Sequence, residues 1–210
     1  MGSTPEQLGR RPLATLRQFV RKPRVETEVC ELCGAPVASM HDHLLEMEKR
    51  NVVCACNACA ILFGGSTRQR YQRIPRDVRR LHDFSMDDHE WESLLIPINL
   101  AFFTYSSPRG RVVANYPSPG GVMESSLDIE YWSVIVERNL VLKRLAPDVE
   151  ALLVNRIGAP QYYRAPIDHC FRLVGTLRRH WRGLSGGSEV WKQIDAFFRD
   201  LNELSGGKRA

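Results

Sequence analysis

Val190, Trp191, Ile194, Phe197, Phe198 and Leu201 recur at helical spacing on an otherwise polar stretch and predict an amphipathic helix near the C-terminus. Upstream, Cys170, Phe171, Val174, Leu177 and Trp181 share one helical face behind Pro166, a residue suited to a first helical turn, and GLSGGS separates the two helices. The period shortens to strand-like runs in INLAFFTYSS and RVVANY, joined by the turn SPRG as a hairpin. VEALLVNR, residues 149–156, predicts one further strand, and LDIEYWSVIVER, residues 127–138, a helix. Ser85 followed by Asp88 has the spacing of a helix cap and predicts a short helix through Leu95. PSPGG reads as a stiff surface loop.

These elements divide the chain. Residues 1–28 are a basic lead-in with a short amphipathic patch at Leu8, Leu13, Leu16, Phe19 and Val20. Residues 29–66 hold a cysteine cluster. Residues 67–84 are an arginine-rich connector, expected to be helical after Pro75. Residues 85–204 form a mixed α/β unit with a hairpin, a further strand and three to four helices, and residues 205–210 are a flexible tail. The expected class is α+β. The larger unit has its own apolar set and is expected to keep its fold without the cysteine module.

Charge changes this picture at one place. Residues 1–84 carry 14 Lys/Arg against 9 Asp/Glu, whereas residues 85–210 carry 15 of each, so the whole net charge of +5 lies in the first part. Arg68, Arg70, Arg73, Arg76, Arg79 and Arg80 crowd the connector, with Tyr71 between them. Such a segment either meets nucleic acid phosphates or pairs with acidic residues of the chain or a partner. Arg73, Arg76 and Arg80, with the cluster Tyr162, Tyr163 and Arg164, are the candidate partner-binding residues; packing is the alternative for that cluster. No apolar run approaches the roughly 20 residues that span a bilayer. Arg10–Arg11 has no apolar core behind it, so the expectation is a cytoplasmic protein with reduced thiols.

Reduced, clustered cysteines point to metal. Cys30 and Cys33 are spaced C-x-x-C with Gly34 following, and Cys56 and Cys59 repeat the spacing. Each turn aims two thiolates at one point, and two turns complete a tetrahedral all-sulfur site. The intervening VASMHDHLLEME and NVVCAC can pair as a hairpin around KRN, which is the plan of a zinc ribbon, rubredoxin-like in outline. Cys54 and Cys56 have the same strand parity. Turning at Lys49–Arg50 sets His43 roughly opposite Cys56, with His41 further along. Cys54 and His43 then either neighbour the metal or replace one ligand. Zinc is expected over iron, because rubredoxins carry Gly after each pair and here Ala60 follows the second. A closed all-sulfur zinc site leaves no open position and has a structural role.

The remaining candidates are weaker. On a helix His169 diverges from Cys170, so Asp168-His169-Cys170 does not make a nucleophile. Glu124, Asp128 and Glu130 either bind a cation or complement a helix start. No Ser-His-Asp set or HExxH motif is present, and no reaction is read from the sequence.

Taken as a set, CELCGAP, CACNACAILF, IPRDVRRL, LLIPINLAFF, NYPSPGGVMES and DHCFRLVGTLRRHWRGLSGG resemble a bacterial family of about this length associated with gene clusters for actinobacterial uptake nickel–iron hydrogenases. The resemblance runs from about Cys30 to Leu201. It implies a context rather than a reaction: an accessory or assembly protein that binds hydrogenase subunits or maturation factors. A small iron electron-transfer protein and a zinc-ribbon nucleic-acid binder are the alternatives.

Overall fold

The computed structural model describes residues 28–65, 70–125, 129–183 and 186–206. The expected amphipathic patch at residues 8–20 lies outside them, as do Arg68 and Asp128. The described chain is mixed α+β, with two antiparallel sheets and five α-helices. No helix among the described residues is long and apolar enough to cross a membrane.

The small sheet comes first. β1 (Asp42–Glu46) and β2 (Asn51–Ala55) form a hairpin, turned at Arg50 with φ 55°. A short helix follows, α1 (Asn57–Phe63), and then β3 (Tyr71–Arg73) pairs with β1, giving the order β2-β1-β3. Alternation along β1 gives this sheet two apolar faces. Leu44, with Val53 and Ala55, packs on the cysteine cluster and α1. Leu45, with Met47 and Val52, packs on the body of the protein.

The body is built on a six-stranded sheet of order β4-β9-β8-β5-β6-β7. Its strands are β4 (Arg79–Arg80), β5 (Leu100–Ser106), β6 (Arg111–Ser118), β7 (Gly121–Ser125), β8 (Glu150–Asn155) and β9 (Gln161–Pro166). Every residue of β8 is buried, because both sheet faces are covered. Phe102, Leu153, Tyr163 and Ala165 face α4 (Ile167–His180) and α5 (Gly187–Gly206). Ala101, Phe103, Leu152 and Val154 face the other way, toward Trp91 of α2 (Asp88–Ser93) and Trp132 and Ile135 of α3 (Ile129–Arg138). Phe103 stacks on Trp132 at 4.8 Å between ring centroids.

Three expectations need correction. The connector is not helical after Pro75. It supplies β3 to one sheet and β4 to the other, and Ile74 and Val78 between them are buried in the main core. Strand edges on both sides offer its backbone partners, and this tertiary pairing overrides a weak local helix signal. It therefore joins the two sheets through strands and buried side chains, not through a helix. The cap of α2 is Asp87, not Ser85: its carboxylate accepts from the Glu90 N–H and the Glu90 side chain returns to the Asp87 N–H. Finally, PSPGG is mostly strand: Pro117 and Ser118 end β6, Pro119 and Gly120 make the turn, and Gly121, at φ 126°, starts β7, so the expected hairpin extends to a three-strand meander.

Candidate metal centre

The first cysteine pair sits on a loop closed by a bridge between Val29 and Pro36. Cys30 N–H donates to Ala35 O at 2.7 Å and Gly34 N–H to Cys30 O at 2.8 Å. Gly34 adopts φ 75°, a conformation that a side chain would strain. Glu31 N–H donates to Cys54 O at 2.9 Å, which fastens the loop to β2. The second pair is not on a strand. Cys56 is the N-cap of α1, and its sulfur accepts from the Cys59 N–H at 3.5 Å. A loop and a helix start thus present two thiols each to the same point.

The sulfurs of Cys30, Cys33, Cys56 and Cys59 all lie within 4.8 Å of one another, and none is in a disulfide. Cys33 and Cys56 are 3.8 Å apart. Metal–sulfur bonds of about 2.3 Å in a tetrahedron separate the sulfurs by about 3.8 Å, so the set fits a metal ion. Cys30 and Cys59 are buried, Cys56 is half-buried and Cys33 is exposed.

Electrostatics within the cluster are uneven. Burial pushes the Cys30 thiol up, but backbone hydrogen bonds from Cys56, Leu32 and Cys33 outweigh it and bring it down to about 6. Burial and the neighbouring Cys33, Cys56 and Cys30 sulfurs push Cys59 up to about 12. The Cys33 thiol also rises: hydrogen bonding to the Ala35 backbone favours its thiolate, and so does Cys59, but Cys30 and Cys56 oppose them. Four thiolates this close repel, and a cation among them is what lets all four ionise together.

Cys54 and His43 are not part of this set. They are directly paired across β1 and β2, so His43 faces Cys54 rather than Cys56. The strand ends at Ala55 and the chain turns into α1, which breaks the parity expected between Cys54 and Cys56. His43, Cys54 and His41 instead gather on their own, with ligand atoms within 4.8 Å of one another. Asp168, at the start of α4, joins His43 by a 2.7 Å hydrogen bond. Its neighbour Cys170 is fully buried, and burial raises its thiol, so it offers no nucleophile.

The other candidates are engaged within the chain, the arginines of the connector while still exposed. Arg73 and Arg76 lie 2.9 and 3.1 Å from the buried carboxylate of Asp42. Arg70 holds the buried Glu46 at 2.7 Å and lies over the Tyr71 ring, and Arg80 donates to Asn202 at 2.9 Å. Among the described residues, Arg70, Arg73, Arg76 and Arg79 each pair with an acidic side chain of the chain itself. Tyr162 and Tyr163 are buried in β9, on opposite faces of the sheet, and Arg164 pairs with Asp77 at 2.8 Å and Glu150 at 3.3 Å. This trio is core and lattice of the body, not a displayed binding cluster, because alternation in a doubly covered strand buries both tyrosines. Glu124 is held by Arg109 and Arg111, whose guanidinium groups keep its carboxyl below the usual range. It is not a free cation ligand.

A family model described as a family of unknown function, DUF5947, matches residues 29–205, from the first cysteine loop into α5. No curated protein and no solved structure matches the chain.

Proposed function

We propose that this chain, which belongs to the DUF5947 family, is a metal-binding accessory protein in which one zinc holds together a zinc-ribbon-like module that packs by its other face on an α+β body. The observation that carries the reading is the convergence of the Cys30, Cys33, Cys56 and Cys59 sulfurs within 4.8 Å. Four protein sulfurs fill a tetrahedron and leave no position for water or substrate, so such a centre holds structure together. Zinc suits it better than iron, because the second pair opens a helix with buried Ala60 after it, not a glycine-bearing loop of the rubredoxin kind.

A structural staple implies that the work is done by a surface. Ile61, Leu62 and Phe63 are consecutive, apolar and exposed on α1, beside the metal. Three such residues together favour a protein partner. The resemblance of the motif set to proteins of uptake nickel–iron hydrogenase clusters supports hydrogenase subunits or their maturation factors as that partner.

The test is purification of the tagged chain from its native host, with metal analysis of the same sample. Hydrogenase subunits are expected to co-purify with a colourless, zinc-containing chain. Ile61→Asp with Leu62→Asp should lose them while keeping the metal. Absence of every hydrogenase subunit, together with unchanged hydrogen oxidation when the chain is deleted, would remove the hydrogenase assignment. Visible absorption typical of ferric iron bound by four sulfurs would instead make the protein an electron carrier.

A further inference from the structure

The small sheet has a second face, turned toward the body, and metal-ligand side chains gather there too. His43 and Cys54 face each other across the hairpin, and the His41 ring meets the His43 ring edge-on at 4.8 Å between centroids. One ring nitrogen from each histidine and the Cys54 sulfur lie within 4.8 Å of one another.

The outer nitrogens of both rings are already fixed. His41 Nδ1 is 2.8 Å from Ala38 O. A carbonyl only accepts, so Nδ1 carries the proton and Nε2 the lone pair. His43 Nδ1 is 2.7 Å from Asp168 Oδ2, and a carboxylate makes the same demand. Each histidine is thus held by a hydrogen bond on one nitrogen and has its other nitrogen free to bind, the arrangement found behind metal-ligating histidines. The His41 side chain is only 7% exposed, yet its Nε2 is buried with no hydrogen-bond partner. A buried imidazole lone pair without a partner costs stability unless something fills the place it points to.

We infer that His41, His43 and Cys54 form a second metal site, for a divalent cation of the zinc class, with Asp168 orienting His43 from α4. Two nitrogens and one sulfur are ordinary zinc donors. Among the described residues no fourth His, Cys, Asp or Glu joins the group, which leaves one position for water or an exogenous ligand. The two faces of one small sheet would then carry different centres, a closed one of four sulfurs and an open one of mixed donors. Because Asp168 belongs to the body, the second metal also ties the sheet to α4.

A thiol nucleophile is the competing arrangement, since Cys54, His43 and Asp168 have the order of nucleophile, base and orienting acid. Two observations favour the metal. His41 has no part in such a triad, yet one of its ring nitrogens lies within 4.8 Å of the other two ligand atoms. The surroundings are anionic: Glu31 accepts the Cys54 N–H at 2.7 Å and Glu28 lies 3.6 Å from His41. Such a field opposes a bare thiolate and welcomes a cation.

The test loads the full chain with zinc, removes the excess, and measures zinc per chain and the zinc K-edge absorption spectrum. The parent should hold two zinc ions, with nitrogen as well as sulfur neighbours. His41→Gln and Cys54→Ala should each lose one zinc and the nitrogen signal, leaving an all-sulfur spectrum. Cys56→Ser should do the reverse, which separates this site from the four-cysteine centre. Asp168→Asn should keep both ions but weaken the second about 10–100-fold against a chromogenic chelator. A parent with sulfur neighbours only, which needs no variant to fold, would overturn the site. So would rapid alkylation of Cys54 by iodoacetamide in the zinc-loaded parent, the mark of a reactive thiol.

Discussion

Under a strong chelator at neutral pH, hydrogen exchange should accelerate throughout β1, β2, β3 and α1, while β5, β8 and β9 stay protected. The apolar cluster on the cysteine face is small: Leu44, Ala55 and Ala60 are its buried residues besides Cys30 and Cys59. Such a core cannot hold a hairpin and a seven-residue helix alone. Structural zinc in small finger peptides contributes apparent binding energies of about 10–16 kcal/mol, far above what those side chains supply. The body has no such dependence, since both faces of its sheet are covered by helices. The boundary between the two responses should follow packing. Ile74 and Val78 lie in the main core and should keep protection, although they border β3. Unchanged exchange in the small sheet would mean that no metal holds it. Loss across β5, β8 and β9 would mean one indivisible cooperative unit.

The second large effect is expected at Leu45. This side chain is fully buried, and it lies on the sheet face that meets the body, not on the cysteine face. Leu45→Ala should cost about 2–5 kcal/mol in urea unfolding, as deletion of a core leucine does when its surroundings cannot collapse into the space. The zinc of the four-cysteine centre should stay at the parent level, because the residue takes no part in the cysteine cluster. Leu44→Ala removes the same atoms from the other face and should weaken zinc retention as well. Equal zinc loss in the two variants would show that the faces are not separate.

The helices of the body and its strands β5, β6 and β8 are legible in the sequence because their side chains repeat on one local period. β9 is less so: Gln161–Pro166 runs directly into α4, and its tyrosines read equally well as a helix-flanking cluster. β3 and β4 have almost no local signal. Arg79 and Arg80 are strand residues only because Arg164 and Tyr163 lie beside them. The four-cysteine centre is legible because each pair is a local turn whose spacing already aims two sulfurs. The histidine and cysteine cluster is half legible. His43 and Cys54 share a hairpin, and a register two residues different brings them face to face. Asp168 is 125 residues from His43, and the run Asp168-His169-Cys170 carries no sign of a link to that hairpin. Only the seating of the small sheet on α4 reveals that contact.

Cys33 offers the most direct measurement of the central claim. It is the exposed member of the four-cysteine set, so its replacement by Ser leaves no cavity in any core. If it were an ordinary surface residue, Cys33→Ser would change stability by no more than about 0.5 kcal/mol. As a metal ligand it should behave quite differently. Native mass spectrometry of Cys33→Ser, alongside the parent, is expected to show one bound zinc fewer or a much weaker hold on it, with the small sheet losing its protection from exchange. A Cys33→Ser chain with the parent's metal content and the parent's stability would contradict the account.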